Sequence, residues 1–300
     1  MPDADRFLDP AALRKIERLE LRARRVVEGF LAGRHRSQRF GSSVEFLRHR
    51  EYAPGDDPRY IDWKAWARQD RLYVKQFEEE TNFRLSLVLD VSAGMQYGSG
   101  PLNKYEYACT LAACLAYMAL RRQDAVGCVA FDQKVRATVP LRTKRTHLKS
   151  LLRAFDVNRP NDKTDISVAL RSVAENIPRQ SVVVLISDLL VDREDLQEGL
   201  KLLRSRGHDL LVFHILDDDE LDFPFTGATK FEGLEDDHIL RCNPRSLREG
   251  YLEAIHEYLE DVRHGCARLD ADYELLRTRT PLDAALSAFL ARREGAARKR

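Results

Sequence analysis

From Arg84 onward the chain alternates short, continuous Val/Leu/Ile runs with segments of helical spacing, and this feature constrains the fold most. The runs RLSLVLD (84–90), AVGCVAFD (125–132), SVVVLISD (181–188) and DLLVFHIL (209–216) are apolar at nearly every position, not at every second one. A strand of that kind has both faces covered, as a parallel strand does when helices pack on either side. Between the runs, 104–122, 146–155, 165–176 and 193–206 carry apolar residues at helical spacing. The alternation predicts an α/β domain with a doubly wound, mostly parallel sheet.

The flanks read differently. Leu13, Ile16, Leu19, Leu21, Val26, Val27 and Phe30 recur among Arg, Glu and Lys ahead of Gly33, which predicts an N-terminal amphipathic helix over 1–32. Residues 33–83 are a strand-and-loop arm, broken by Gly41, Pro54-Gly55 and Pro58 and rich in aromatics. The sheet domain with its C-terminal helices is expected over 84–293, with a helix from about Pro244 to His264, an extended piece near Tyr273 and a last helix over Pro281–Arg293. A basic tail, 294–300, follows.

Lys and Arg total 49 against 48 Asp and Glu, so the 300-residue chain has no global excess of positive charge for nucleic acid. The local run Arg34-His35-Arg36-Ser37-Gln38-Arg39 could meet phosphates, but in a neutral chain it reads more simply as a solvated basic face. The longest apolar stretches, Leu111–Leu120 and Val182–Ile186, fall short of the roughly 20 residues that cross a bilayer. The N-terminus has no apolar core of a secretory signal, and the expectation is a cytoplasmic protein. The five cysteines have no CxxC pair, which argues against a disulfide framework or zinc cluster, and Cys109, Cys114 and Cys128 lie in apolar runs and read as small core residues. The eight histidines show no HxxxH or HExxH spacing, and neither a P-loop nor GxSxG occurs, so an enzyme is not expected.

In an open α/β sheet the working site lies at the carboxyl ends of the strands. Here those ends carry oxygen donors: Asp90-Val91-Ser92-Ala93-Gly94, Ser187-Asp188, and Thr164-Asp165 before a helix. Carboxylates and hydroxyls from three loops suit a hard divalent cation. They could equally be turn caps after the strands. The spacing resembles the metal-ion-dependent adhesion site of von Willebrand A domains. The resemblance implies that Asp90, Ser92, Thr164 and Asp188 hold Mg²⁺ or Mn²⁺, and that a partner's Asp or Glu completes the shell. Gly94 departs from the usual DxSxS pattern, so one hydroxyl is missing and water would fill the place.

The arm narrows the resemblance. Gly33, His35, Ser37, Gly41, Glu45-Phe46, Arg50, Tyr52, Pro54-Gly55-Asp56-Asp57, Arg59, Ile61-Asp62-Trp63 and Ala67-Arg68 are similar to a bacterial family of unknown function. Its members have a von Willebrand A-like domain and are typically encoded beside MoxR-type AAA+ ATPases; the likeness runs from about 12 to 293. It implies a protein-interaction module, an adaptor or partner of a MoxR-type ATPase and of its client. Two alternatives stand beside it: a metal-assisted hydrolase using Asp90, Ser92 and Asp188, and a metal-free binding module. Within the arm, Asp56, Asp57 and Asp62 are expected to pair with Arg50, Arg59 and Arg68, and Trp63 and Trp66 to be packing residues.

Overall fold

The computed structural model describes residues 45–52, 61–63, 65–66, 72–78, 84–157, 164–235 and 239–286. The expected N-terminal helix, Pro54 to Arg59 of the arm motif, Arg68, the end of the last helix and the basic tail lie outside the described residues. Among the described residues, those between 33 and 82 form one compact unit and those from 83 onward another.

In the smaller unit, strands β1 (Glu45–Glu51) and β2 (Tyr73–Glu78) pair antiparallel, with Phe46 opposite Phe77 and Glu51 opposite Tyr73. Ile61 and Val74 are buried, and a short helical turn follows at 63–66. Asp62 is buried too: its backbone N donates to Tyr73 O at 2.7 Å and its Oδ1 accepts from Ala65 N at 3.1 Å, capping that turn. Trp63 and Trp66 correct the packing expectation. They are 57% and 44% exposed, while Ile61 and Val74 are buried, and they meet each other edge to face at 6.1 Å.

The larger unit runs β3 (Arg84–Asp90), α1 (Lys104–Arg121), β4 (Ala125–Phe131), β5 (Val135–Arg142), α2 (His147–Val157), α3 (Ile166–Asn176) and β6 (Val182–Ser187). It continues through α4 (Arg193–Ser205), β7 (Asp209–Leu216), α5 (Asp218–Asp222), the hairpin β8 (Thr229–Glu232) and β9 (Ile239–Cys242), α6 (Pro244–Arg268) and β10 (Asp272–Arg277). A further helical stretch begins at 282–286. The six-stranded sheet has the order β10-β7-β6-β3-β4-β5, parallel throughout except for β5 against β4. This is the doubly wound, mostly parallel architecture expected from the apolar runs.

The runs lack a period of two because each face of the sheet has its own core. Leu85, Leu87 and Leu89 of β3, with Val182, Val184 and Ile186 of β6, pack on the side of α1. Val88, Val183 and Leu185 point to the side of α3 and α4. Both faces therefore select branched apolar residues. β5 is one of the two edge strands, half-exposed and alternating, and it accommodates Pro140 as an edge does. Cys109, Cys114, Cys128 and Cys266 form no disulfide and are buried, as small apolar side chains are.

Candidate functional site

The chain starts its sheet at β3, winds outward through β4 and β5, and returns to β6 on the other side of β3. The loops leaving β3 and β6 therefore diverge, and the crevice between them is where an open α/β sheet receives ligands. Asp90 ends β3, and Ser187 ends β6 with Asp188 next to it.

Asp90 is fully buried and held at both oxygens: Oδ1 accepts from Ser92 N at 2.9 Å, and Oδ2 accepts from Ser187 Oγ at 2.5 Å. Ser187 Oγ accepts in turn from Leu189 N at 2.9 Å, in a turn where Leu189 adopts a φ of 50°. Burial, and then the neighbouring Asp188 charge, push the Asp90 carboxyl up to about 7. Asp188 has a cationic partner. Lys104 opens α1 and donates from Nζ to Asp188 Oδ2 at 2.7 Å and to Glu220 Oε1 of α5 at 2.6 Å. Burial pulls the Lys104 ammonium down, but Asp188 and Glu220 outweigh it, and the group is held above its ordinary value.

Thr164 precedes α3 and reaches the same crevice. Its Oγ1 donates to Glu235 Oε1 at 3.1 Å, while Gly94 N donates to the same oxygen at 3.4 Å and Thr164 N to Glu235 Oε2 at 3.4 Å. A Cβ placed on Gly94 would lie 3.1 Å from Glu235 Oε1 and 3.1 Å from Asp188 Oδ2. The structure thus gathers Asp90, Ser92, Thr164 and Asp188 around the crevice, and adds three residues that sequence reasoning missed: Lys104, Glu220 and Glu235. Lys104 read only as the polar start of a helix. Glu235 lies in an acidic loop that no motif singles out.

α5 carries Glu220 and is fixed by Asp217, its N-cap. That buried carboxylate accepts from Ser99 Oγ at 2.5 Å, Ser99 N at 3.1 Å, Thr278 Oγ1 at 2.6 Å and Asp219 N at 3.0 Å. Burial alone would raise the Asp217 carboxyl, but the Ser99 and Thr278 bonds prevail and it sits below its ordinary value. Beside the crevice a cavity of about 410 Å³ is lined by Lys104, Asp188, Glu235 and an aromatic group that includes Phe223 and Tyr251, whose rings are 4.5 Å apart. Leu190 and Leu234, about half exposed, also line this cavity.

Whether a divalent cation suits these donors can be asked of the side chains. Ser92 Oγ is buried without a hydrogen bond of ordinary geometry; it interacts only weakly with the Asp90 carboxyl, which it helps to hold down, and a ligand beside it would satisfy it. Four carboxylates (Asp90, Asp188, Glu220 and Glu235) are linked to the crevice, and Lys104 faces two of them. Both observations fit a hard cation near Asp90 and Ser92. Among the described residues no three His, Cys, Asp or Glu side chains stand close enough to hold a metal by themselves, so hydroxyls and water would have to contribute. Nor is any described helix long and apolar enough to cross a membrane.

The uncharacterized protein Rv1480 of Mycobacterium tuberculosis is 26% identical over 294 residues, covering 96% of this chain and 92% of the relative. Among solved structures, BatB from Bacteroides thetaiotaomicron aligns with a TM-score of 0.47 and 15% identity, over 70% of this chain and 98% of its own. The SpRpn10 VWA domain aligns with a TM-score of 0.40 and 11% identity, over 68% and 93%. Residues 48–260 match the family described as protein of unknown function DUF58, and the chain belongs to that family.

Proposed function

We propose that this chain is a protein-interaction module of the von Willebrand A type, working in the cytoplasm as an adaptor or partner of a MoxR-type AAA+ ATPase. Its capture surface is the crevice between the β3 and β6 ends. The observation that carries the reading is the meeting of Asp90, Ser92, Asp188 and Thr164 around one crevice with the Ser92 hydroxyl buried and without a hydrogen bond of ordinary geometry. Asp90, Ser92 and Thr164, with Asp188 beside them, would hold Mg²⁺ or Mn²⁺. When bound, the ion would supply a positive charge that a partner's carboxylate can complete.

The remaining work belongs to the chain itself. Ser187 and the Ser92 amide orient the Asp90 carboxylate, and Lys104 fixes Asp188. Leu190 and Leu234 offer exposed apolar surface beside the polar crevice, of the kind partners bury. The ATPase as partner rests on the arm's likeness to its family. A metal-free version of the same module is favoured by one observation: Lys104 already gives Asp188 and Glu220 a cation.

Titrating the MoxR-type ATPase from the same source into the full chain, in Mg²⁺ and in chelator, tests both. Affinity that needs Mg²⁺ and falls in Asp90→Asn supports the cation-dependent grip. Equal affinity in chelator supports the metal-free module, and no binding under either condition removes the ATPase as partner.

A further inference from the structure

The gap that Gly94 leaves in the donor pattern is filled from elsewhere in the chain. Glu235 lies 141 residues further along, beyond the reach of any local motif, yet its carboxylate stands against Gly94. A side chain begun at position 94 would meet Glu235 Oε1 at 3.1 Å, so that oxygen occupies the volume into which a serine there would project. The same carboxylate accepts from Gly94 N, Thr164 N and Thr164 Oγ1. It joins the two loops whose hydroxyls would face a cation.

Lys104, the cation beside the crevice, is committed to Asp188 and Glu220. The buried Ser92 Oγ, which makes no hydrogen bond of ordinary geometry and only a weak one to the Asp90 carboxyl, offers a second oxygen at the same strand end.

We infer that Glu235 is an intramolecular ligand of the strand-end cation site, supplying the oxygen that the second serine of the usual pattern would give. The inference rests on the cation-binding reading proposed above. It gives the site one more negative charge than a serine would, and it makes Gly94 the space that admits the carboxylate. A serine at 94 with Glu235 in place would be crowded. A serine at 94 without Glu235 would restore a donor if Asp188 Oδ2, also 3.1 Å from that Cβ, gives way by a few tenths of an ångström.

The test is titration of metal-stripped full chain with Mn²⁺, with free Mn²⁺ read by electron paramagnetic resonance. The proteins are wild type, Asp90→Asn, Glu235→Gln, Glu235→Ala and Glu235→Ala with Gly94→Ser, each first shown to unfold cooperatively. Groups that merely support metal ligands contribute roughly 10–100-fold in affinity, so Glu235→Gln, which keeps the side-chain shape, should weaken Mn²⁺ at least about tenfold. Gly94→Ser should recover part of the affinity lost in Glu235→Ala, limited by its contact with Asp188 Oδ2, and a purely loop-bracing glutamate would allow no such recovery. If Asp90→Asn abolishes binding while Glu235→Gln matches wild type, the inference is overturned and the cation site stands. If wild type binds no more Mn²⁺ than Asp90→Asn, the cation reading itself fails, and the inference with it.

Discussion

Replacing Lys104 by methionine removes the ammonium that buried Asp188 and partly buried Glu220 share while keeping a side chain of similar length. Lys104 is 1% exposed, Asp188 3% and Glu220 17%, and the contacts are 2.7 and 2.6 Å. Removing one member of such a buried pair strands the other without compensation, at a cost of about 3–5 kcal/mol. Methionine limits any packing loss to a smaller figure, below about 1.5 kcal/mol. Against a total stability on the order of 5–15 kcal/mol, Lys104→Met should move the urea midpoint far to the left. In wild type the Lys104 contribution is constant across neutral pH, because its ammonium is held above an already high value. In the variant the stranded carboxylates take up protons more readily in the folded state, so stability should partly return as pH falls from 7 to 5. The assay is urea unfolding followed by far-UV circular dichroism at both pH values in chelator. A loss below about 1 kcal/mol at pH 7 would refute the claim that Lys104 is the charge on which Asp188 depends.

Other perturbations separate the supports of the crevice. His214 is buried, with a ring nitrogen 2.9 Å from Tyr273 Oη, and burial lowers it to about 4. Its stabilising contribution is therefore present above its unfolded value of about 6.5 and lost as pH falls toward 4, by up to about 3 kcal/mol; His214→Phe should flatten that part of the curve, and an unchanged slope would reassign it. Asp217→Ala removes the acceptor of four bonds and the cap of α5, and should cost about 2–4 kcal/mol at pH 7. Because the Asp217 carboxyl sits below its ordinary value, the difference from wild type should shrink as acid protonates it, which denaturant unfolding at pH 7 and 3 checks. Leu87→Ala, in the interior of β3, should cost about 2–5 kcal/mol while leaving Mn²⁺ affinity within twofold, since it touches the core and not the crevice.

How much could be read in advance depended on whether a feature is local along the chain. β3, β6 and β7 are buried on both faces, and their unbroken apolar runs announced them. β5 escaped notice because an edge strand needs only weak alternation, and Arg136, Pro140 and Arg142 obscure even that. α6 runs to Arg268, past the expected end at His264, because Gly265 does not stop the helix; it is buried against Gln197 of α4, where a side chain would crowd it. Asp90, Ser92, Thr164 and Asp188 were visible as site candidates because they follow strand ends or precede a helix. Lys104 lies 84 residues from Asp188 and Glu235 141 from Gly94, and sequence spacing carries no information about such meetings. The exposure of Trp63 and Trp66 was missed for a related reason: aromatic content suggests packing, but composition does not say which side of a turn faces inward, and here Ile61 and Val74 are buried while both tryptophans are exposed.

The central claim is that the crevice between β3 and β6 is a cation site completed within the chain. Crystals of the full chain soaked in Mn²⁺ and measured at the manganese absorption edge reach it most directly. The prediction is an anomalous peak among the Asp90, Ser92, Thr164 and Glu235 oxygens, with Lys104 still on Asp188. A well-ordered crevice with no such peak at millimolar Mn²⁺ would contradict it, leaving the lysine as the only cation the site was built to hold.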